Sequence, residues 1–457
     1  KQMILSLKDI INESLVDYYE SDLLKWILKW PGQVVSVSSI MNWTSEASEA
    51  IEKQSLKSFM GKCNEQLAQI VSLMQGGLSA RAELNTRNLI ILSVHARNVI
   101  ERLLSSGVFS IKDFNWKSQL RYYHGDGNVF VEMVTTRIQY GYEYIGNSPR
   151  LVMTPLTERC YRTLMGALKI HLGGAPEGPA GSGKTETCKD LAKAVAKQCV
   201  VFNCSDGIDY HAWACFDEFN RIDLDVLSVV AQQIHTIQNA ISSNLTTFNF
   251  EGADLTLNKS CSIFITMNPS YGTRKTIPDN LKLLFRPVAM MLPDISMIAE
   301  VTLYAMGFQE ARSLAKKVID AYKLCSEQLS YQPHYDFGMR AVKSTLIASR
   351  KLRTSNPEDN EDLLVLQGLI EVNLAKFIHE DVDLFKGILR DLFPQEFKDS
   401  LTDKYSVKSK LMDFIKKACV SSQLQPTPEF LSKTYQLYSS MLISHGIMII
   451  GDTMSLD

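Results

Sequence analysis

Paired cysteines are missing from this sequence. Nine are scattered through 457 residues, none in a C-x-x-C pair. An odd count and no signal peptide predict reduced thiols in a cytosolic compartment and argue against a disulfide framework. Cys199 and Cys204 flank an apolar run and read as packing residues rather than metal ligands. No apolar run approaches the roughly 18–20 residues that a membrane span requires. An excess of one charge is missing too: 48 Lys and Arg face 50 Asp and Glu, a net charge of -2. No overall field therefore draws the chain to nucleic acid or to an anionic membrane. What is present is an ordinary composition, 45% hydrophobic and 21% charged, long enough for two to four domains. The chain starts at Lys1 and ends inside what reads as a new motif, so it is expected to be part of a larger protein.

One stretch organises the rest. Gly178, Pro179, Ala180, Gly181, Ser182, Gly183, Lys184 and Thr185 satisfy the phosphate-loop pattern G-x-x-x-x-G-K-[ST] in full. Three glycines let the backbone bend until its N–H groups face phosphate oxygens. In this pattern Lys184 reaches the β- and γ-phosphates, and the Thr185 hydroxyl holds Mg²⁺. Glu186 to Lys197 reads as a helix, whose N-terminus adds partial positive charge at the same point. The competing reading is a glycine-rich surface turn, and the motifs downstream weigh against it.

Those motifs alternate strands and helices. Leu172 to Glu177 is rich in Gly and Pro, which predicts a short, distorted first strand. Cys199 to Cys204 reads as a buried strand. Trp213 to Glu218 is the next, apolar residues running into Asp217 and Glu218 in the form of a Walker B strand. In such a strand Asp217 orients Mg²⁺ and Glu218 polarises the attacking water. Taken alone, the pair would read as an exposed acidic turn. Only about eight residues separate the two strands, whereas a parallel crossover needs about a dozen or more. Residues are therefore expected to be missing near His211-Ala212, with an antiparallel return as the alternative. Leu224, Leu227, Val230, Ile234, Ile237 and Ile241 form one helical stripe, and Phe248 to Leu257 reads as a hairpin. Ser262 to Asn268 is a buried strand ending on a polar side chain. Asn268 there can hold the attacking water or a γ-phosphate oxygen, or can simply start a turn before Pro269. Pro287 to Leu292 supplies a fifth strand. From Asp294 the pattern is helical, with main runs at Ile298–Ala305, Gln309–Leu329, Gly338–Leu352 and Leu363–His379. Arg340, near a helix start, either reaches a bound nucleotide or is a solvated surface arginine. Gly446 to Ile450 reads as a strand entering a turn at Gly451, the first half of a second phosphate loop that Leu456-Asp457 does not complete.

Residues 1 to 146 are mostly helical in pattern, with one helix over Asn12–Trp30 ended by Pro31-Gly32 and further runs at Leu56–Leu73 and Leu84–Leu104. Gln33–Ile40 is open between a short strand and a helix turn, and Val129–Tyr144 between a strand pair and an irregular segment. This part holds no catalytic constellation and reads as a packing or lever domain. Arg150 to Thr157 is short, apolar and proline-bounded, suited to lie over an adenine ring or to link domains. Thr157 is expected to cap a helix over Arg159–Leu172.

Together Gly178–Thr185, Trp213–Arg221, Phe264–Pro269, Pro278–Pro287 and His334–Arg340 resemble the first AAA+ module of a dynein heavy chain, over about Trp26 to Gly451. Cys215-Phe-Asp-Glu-Phe-Asn-Arg221 and Pro155-Leu-Thr157 are more specific than the phosphate loop itself. The resemblance implies an α/β phosphate-loop AAA+ module, a parallel sheet flanked by helices with a helical small subdomain, preceded by a mostly α-helical linker. Residues 1–146 would be the C-terminal part of that lever, 147–293 the large subdomain, 294–400 the small one, and 401–457 the start of a second module. It further implies that Leu151, Val152, Pro155 and Leu156 contact adenine and that Gly181 to Glu186 cradle phosphate. Arg340 would be a sensor arginine, and Arg286 an arginine finger serving the neighbouring module. ATP or ADP and Mg²⁺ are the implied ligands, with hydrolysis driving a linker swing in a six-module ring.

The implied partners are the remaining AAA+ modules of the same chain, microtubules through a stalk not visible here, dynein intermediate and light chains, and other heavy chains, with neither nucleic acid nor membrane. The implied location is the cytoskeleton of the cytoplasm. The short hairpin near Phe248 and the run Phe285–Met291 are more similar to axonemal than to cytoplasmic dyneins, which points to a cilium or flagellum. Two departures stand out. Ser182 replaces the usual Thr, and Ser270-Tyr-Gly-Thr273 replaces the usual Gly-Tyr-Ala-Gly, which alters the loop after Asn268. Another AAA+ remodelling ATPase remains an alternative, opposed by the linker-like residues 1–146. So does a structural nucleotide-binding module without hydrolysis, opposed by Glu218.

Overall fold

The computed structural model describes residues 2–74, 76–203, 213–222, 224–250, 252–268, 278–395, 405–443 and 446–449. Its contacts divide the chain into two compact units, Lys1–Asp294 and Ile295–Asp457.

The first unit opens with helices α1 (Gln2–Glu20), α2 (Leu23–Lys29), α3 (Gly32–Glu52), α4 (Leu56–Met74) and α5 (Ala80–Ser105). The single helix expected over Asn12–Trp30 is broken at Ser21-Asp22. A buried indole N–H needs an acceptor. Trp26, fully buried, finds one by folding α2 back, and its Nε1 donates to the Ser14 carbonyl at 3.1 Å. Trp30 Nε1 likewise donates to Asp17 at 2.7 Å. Gln33–Ile40, left open between strand and helix, is part of α3. A short helix α6 (Phe114–Lys117) leads into an antiparallel sheet of β1 (Arg121–Gly125), β2 (Asn128–Met133) and β3 (Thr136–Gln139). Asp126 and Gly127, both with positive φ, make its first turn, the two-residue Asp-Gly hairpin that matches strand twist.

Helix α7 (Pro155–Lys169) starts one residue after Thr154, not after Thr157 as expected. Thr154 and Thr157 form a reciprocal capping box, and Pro155 occupies the first helical position, where its missing N–H costs nothing. Then follow β4 (Gly173–Glu177), α8 (Lys184–Ala194), β5 (Cys199–Asn203), β6 (Trp213–Asp217), α9 (Leu224–Ser242), the exposed hairpin β7 (Thr247–Phe250) and β8 (Ala253–Thr256), β9 (Ile263–Ile265), α10 (Asp279–Lys282) and β10 (Phe285–Ala289). The five longer-range strands form one parallel sheet, in the order β10-β4-β9-β6-β5. The parallel pairing of β5 with β6 overturns the antiparallel return. Residues 204–212, where missing chain was expected, lie outside the described residues. The fifth strand begins at Phe285, two residues earlier than expected, and Pro287 is tolerated because β10 is an edge strand.

The glycine-rich β4 occupies the inner part of the sheet because side chains there would not fit. A Cβ on Gly173 would lie 2.4 Å from the Phe285 ring and 2.7 Å from the Ile263 carbonyl, and one on Gly174 would lie 2.3 Å from Leu164. One core runs from Ile11, Val34 and Met41 through Val129 and Val131 to Leu164 of α7, Leu191 of α8 and Phe264 of β9. The N-terminal helices and the phosphate-loop helix are thus packed around shared apolar residues.

The second unit holds α11 (Ile295–Ala305), α12 (Ala311–Gln328), α13 (Met339–Ser355), α14 (Glu361–Asn373) and α15 (His379–Leu392) around Phe308, Leu314, Leu346, Leu369 and Phe385, followed by α16 (Tyr405–Ser421) and α17 (Pro428–Ile443). The helix expected to run from Leu363 to His379 stops at Asn373. The Ile378 N–H beyond that end donates to Tyr335 Oη at 2.8 Å, outside any helix. Residues 446–449 carry no strand, and Gly451 and the end of the expected second loop lie outside the described residues.

Two stability predictions follow from this packing. Gly173→Ala is expected to lower the unfolding free energy by about 1–3 kcal/mol through overpacking. Gly166→Ala, mid-helix in α7 with no atom within 4 Å of its Cβ site, is expected to raise it by up to about 1 kcal/mol. Urea midpoints at constant m report both. A further prediction concerns His95, whose Nδ1 lies 3.7 Å from Glu158. Burial pushes its imidazole down to about 4, outweighing the upward pull of Glu158, and Arg102 and Arg150 push the same way. The folded state keeps His95 neutral where the unfolded chain would protonate it. Stability is therefore full above pH 6.5 and is lost as pH falls towards 4, by about 1.4 kcal/mol per unit. Chemical unfolding of His95→Gln across that window should show a flatter slope.

Candidate functional site

The loop between β4 and α8 is bent by Gly181 and Gly183, both at φ +80°. That left-handed conformation is open to glycine without steric cost. Gly178 is required for a different reason: a Cβ there would lie 2.0 Å from the Met290 carbonyl, where the chain leaves β10. Gly183 caps α8 without a side chain, and the first N–H groups of a helix have no partner within it. The loop therefore aims backbone donors and the positive end of a helix dipole at one spot.

Lys184 closes this cradle. Its Nζ, on a side chain largely buried, donates to the carbonyls of Gly178 at 2.9 Å and Pro179 at 2.8 Å, and Ser182 Oγ, which shares the Pro179 carbonyl at 2.8 Å, lies 3.5 Å away. Burial lowers the lysine's hold on its proton, and the carboxylates of Asp217 and Glu218 oppose that. The Lys184 ammonium and the Ser182 hydroxyl, grouped at the loop mouth, suit a polyanion, which would exchange weak carbonyl acceptors for charged ones.

Across the sheet, Asp217 ends β6. Its Oδ1 accepts from Thr185 Oγ1 at 2.6 Å and from Thr266 Oγ1 at 2.5 Å. Glu218 follows in a left-handed conformation, φ 53° and ψ 45°, sparsely populated for a side-chain-bearing residue and held where surrounding structure over-determines it. That determination comes from Thr266: its Oγ1 accepts the Glu218 N–H at 3.1 Å and its carbonyl accepts the Phe219 N–H at 3.0 Å. Asn268 is buried, and its carbonyl accepts from Asn220 Nδ2 at 3.1 Å. The loop after it, residues 269–277 with the Ser270–Thr273 departure, lies outside the described residues.

The other expected site residues are more dispersed. Leu151 and Leu156 are half-buried, Val152 is buried and Pro155 is exposed at the start of α7. Glu186 is exposed on the first turn of α8, where its carboxylate accepts from Lys189 at 2.9 Å. Arg286 is exposed on edge strand β10. Arg340 is exposed in the first turn of α13, in the second unit. Thr266 was missed by the sequence reading, although a lone hydroxyl in the apolar run Ile263-Phe-Ile-Thr-Met, two residues from Asn268 and so on the same strand face, was the available signal. Asp190 on the loop helix and Tyr161 on α7, buried against each other, gave no signal of their own.

A parallel sheet in which β9 separates the phosphate-loop strand from the acidic strand, with Lys184, Thr185, Asp217 and Glu218 converging at its end, defines a phosphate-loop nucleoside triphosphatase of the AAA+ class. The family model described as the hydrolytic ATP binding site of the dynein motor region matches residues 140–456. The chain belongs to that family, and is an ATP-binding, ATP-hydrolysing module. It is 54% identical over 99% of its length to dynein axonemal heavy chain 3 of Mus musculus, of which it covers 11%. It is 49% identical over 98% of its length to dynein axonemal heavy chain 12 of Rattus norvegicus, covering 15% of that protein, and 49% identical over 99% to dynein axonemal heavy chain 1 of Homo sapiens, covering 11%. The chain thus spans 11–15% of the length of these relatives.

Thr266→Val removes the hydroxyl that places both acidic residues while keeping the shape. Turnover is expected to fall about tenfold or more, the worth of one or two hydrogen bonds to charged groups, with nucleotide affinity changed less than threefold. Thr266→Ser should recover most of the rate. Single-turnover hydrolysis alongside calorimetric binding makes the comparison.

Proposed function

We propose that this chain is the main hydrolytic module of an axonemal dynein heavy chain, which moves along microtubules in cilia or flagella. Residues 1–146 form the lever's C-terminal part, 147–293 the large subdomain, 294–400 the small one, and 401–457 open a second module. The observation that carries the reading is the convergence of Lys184, Thr185, Asp217 and Glu218 at one sheet end. Lys184 binds the β- and γ-phosphates with the N–H groups of Gly181 to Glu186. Thr185 and Asp217 present oxygen donors 2.6 Å apart, the hard ligands that Mg²⁺ takes, and they are the residues that would hold it. When bound, Mg²⁺ neutralises charge on the phosphates. Glu218 accepts the proton of the attacking water, and Asn268 orients that water or a γ-phosphate oxygen. Leu151, Val152, Pro155 and Leu156 contact adenine, and Arg340 senses the nucleotide from the small subdomain. Arg286, exposed on the edge strand, serves the neighbouring module. The partners are the remaining AAA+ modules, other heavy chains, and intermediate and light chains.

The base and the missing arginine give the test. Glu218→Gln keeps size and hydrogen bonding but cannot take a proton. In the complete motor, ATP should still bind and turnover should fall roughly 10²–10⁴-fold. The site's own finger comes from the next module, and such a group is worth about 10³–10⁵ in rate. It acts only in the transition state, so the 457-residue chain should bind nucleotide yet hydrolyse it slowly, and adding the following module should restore turnover. Equal, fast single-turnover rates for the two lengths would overturn the interface reading.

A further inference from the structure

Residues 147–154 have no secondary structure of their own, so other groups must satisfy and shape their backbone. Side chains from two helices do this almost residue by residue. Asn88 of α5 donates to the Ser148 carbonyl at 3.0 Å and to Asn147 Oδ1 at 3.1 Å, and accepts from the Arg150 N–H at 3.2 Å. Lys193 of α8 donates to the Pro149 carbonyl at 3.1 Å. Asp190 of α8 then does most of the work. Its Oδ1 accepts from Arg150 Nε at 3.0 Å and from the Leu151 N–H at 3.1 Å, and its Oδ2 accepts from an Arg150 terminal nitrogen at 3.1 Å and from Tyr161 Oη at 2.6 Å. Four donors saturate a carboxylate's usual acceptor sites.

The Arg150–Asp190 ion pair and its Tyr161 neighbour are buried: Asp190 is 2% exposed, Tyr161 not at all, and the Arg150 side chain 11%. A buried ion pair adds little net stability over apolar residues of the same volume. What an apolar pair cannot supply is an acceptor for the Leu151 N–H, and with it a fixed register between Leu151 and α8. The same helix begins at Lys184, six residues earlier, so one rigid rod carries the phosphate cradle at one end and the anchor of Leu151 further along.

We infer that Asp190 is a positioning residue for base recognition, fixing the adenine-contacting segment at Leu151 and Val152 on the helix that holds the phosphates. The inference rests on the reading that this segment contacts adenine. Asp190 touches no nucleotide; it acts through the Leu151 backbone and through Arg150. Its loss should weaken binding of the base and leave binding of the phosphates alone.

The test measures calorimetric affinities of the chain for ADP and for inorganic tripolyphosphate, each with Mg²⁺. Arg150→Met, Asp190→Leu and Tyr161→Phe are combined to replace the cluster with apolar residues of similar volume. The thermal midpoint should stay within a few degrees, ADP affinity should fall at least tenfold, and tripolyphosphate affinity should change less than twofold. A merely structural role would move the midpoint and both affinities together, and a folded triple variant with an unchanged ADP-to-tripolyphosphate ratio overturns the inference. If the triple variant does not fold, Asp190→Asn decides by the same ratio, expected to drop at least threefold; no change overturns the inference. Leu151→Ala separates the two readings. If it leaves the ratio unchanged, the adenine assignment fails whatever Asp190 does. If it lowers the ratio and the Asp190 variants do not, the Asp190 role alone fails.

Discussion

One carboxylate oxygen joins three parts of this site. Asp217 Oδ1 takes hydroxyl hydrogens from Thr185, on the first turn of the loop helix, and from Thr266, at the end of the strand β9 that lies between the loop strand and the acidic strand. Bonds from a hydroxyl to a carboxylate are short and roughly twice as strong as neutral ones. They tie β6, β9 and α8 at the point where the sheet ends. The sheet order makes this possible. With β9 between β4 and β6, neither the loop nor the acidic residues touch directly as strand neighbours, and a hydroxyl from each side is what spans the distance.

Packing holds that geometry from behind. Gly173 and Gly174 let Phe285, Leu164 and Phe264 close on β4, so the loop springs from a tightly packed inner strand of the sheet. Gly178 is hemmed in by the Met290 carbonyl in the same way. The glycines of this motif thus serve two purposes. Gly181 and Gly183 supply left-handed backbone, whereas Gly178 supplies room. Densely packed interiors transmit small displacements instead of absorbing them. The core shared by α1, α3, the first sheet, α7 and α8 therefore gives the N-terminal helices a direct mechanical connection to the loop helix.

Helix α8 carries polar anchors at its start and near its middle. Thr185 meets Asp217 at its start, and Asp190 meets Arg150, Leu151 and Tyr161 about one and a half turns on. Asn85 and Asn88 on α5 extend the second anchor to the N-terminal helices through Asn147 and Arg150. A saturated, buried polar network of this kind specifies a single arrangement more than it stabilises one. It suits a place where a segment without helix or strand must keep its position.

Much of the fold class and the centre of the site could be read from the sequence, because the signals are local. A phosphate loop, an apolar run ending in Asp217-Glu218 and a strand ending at Asn268 each occupy a few contiguous residues whose types declare their chemistry. Local periodicity was a weaker guide. It ran α1 and α2 together, because nothing in the apolar spacing announces that Trp26 must find Ser14. It placed the α7 cap at Thr157, where Thr154 and Thr157 differ only in which one the chain enters first. It read β4 as a poor strand, because the worth of two glycines lies in the aromatic rings pressed against them from elsewhere. By itself, the sequence determined which groups could bind phosphate and where along the chain they stand. Only the tertiary structure decided that Thr266 positions both acidic residues and that Asp190 meets Arg150, since those outcomes depend on contacts between residues far apart in sequence, which no local pattern encodes.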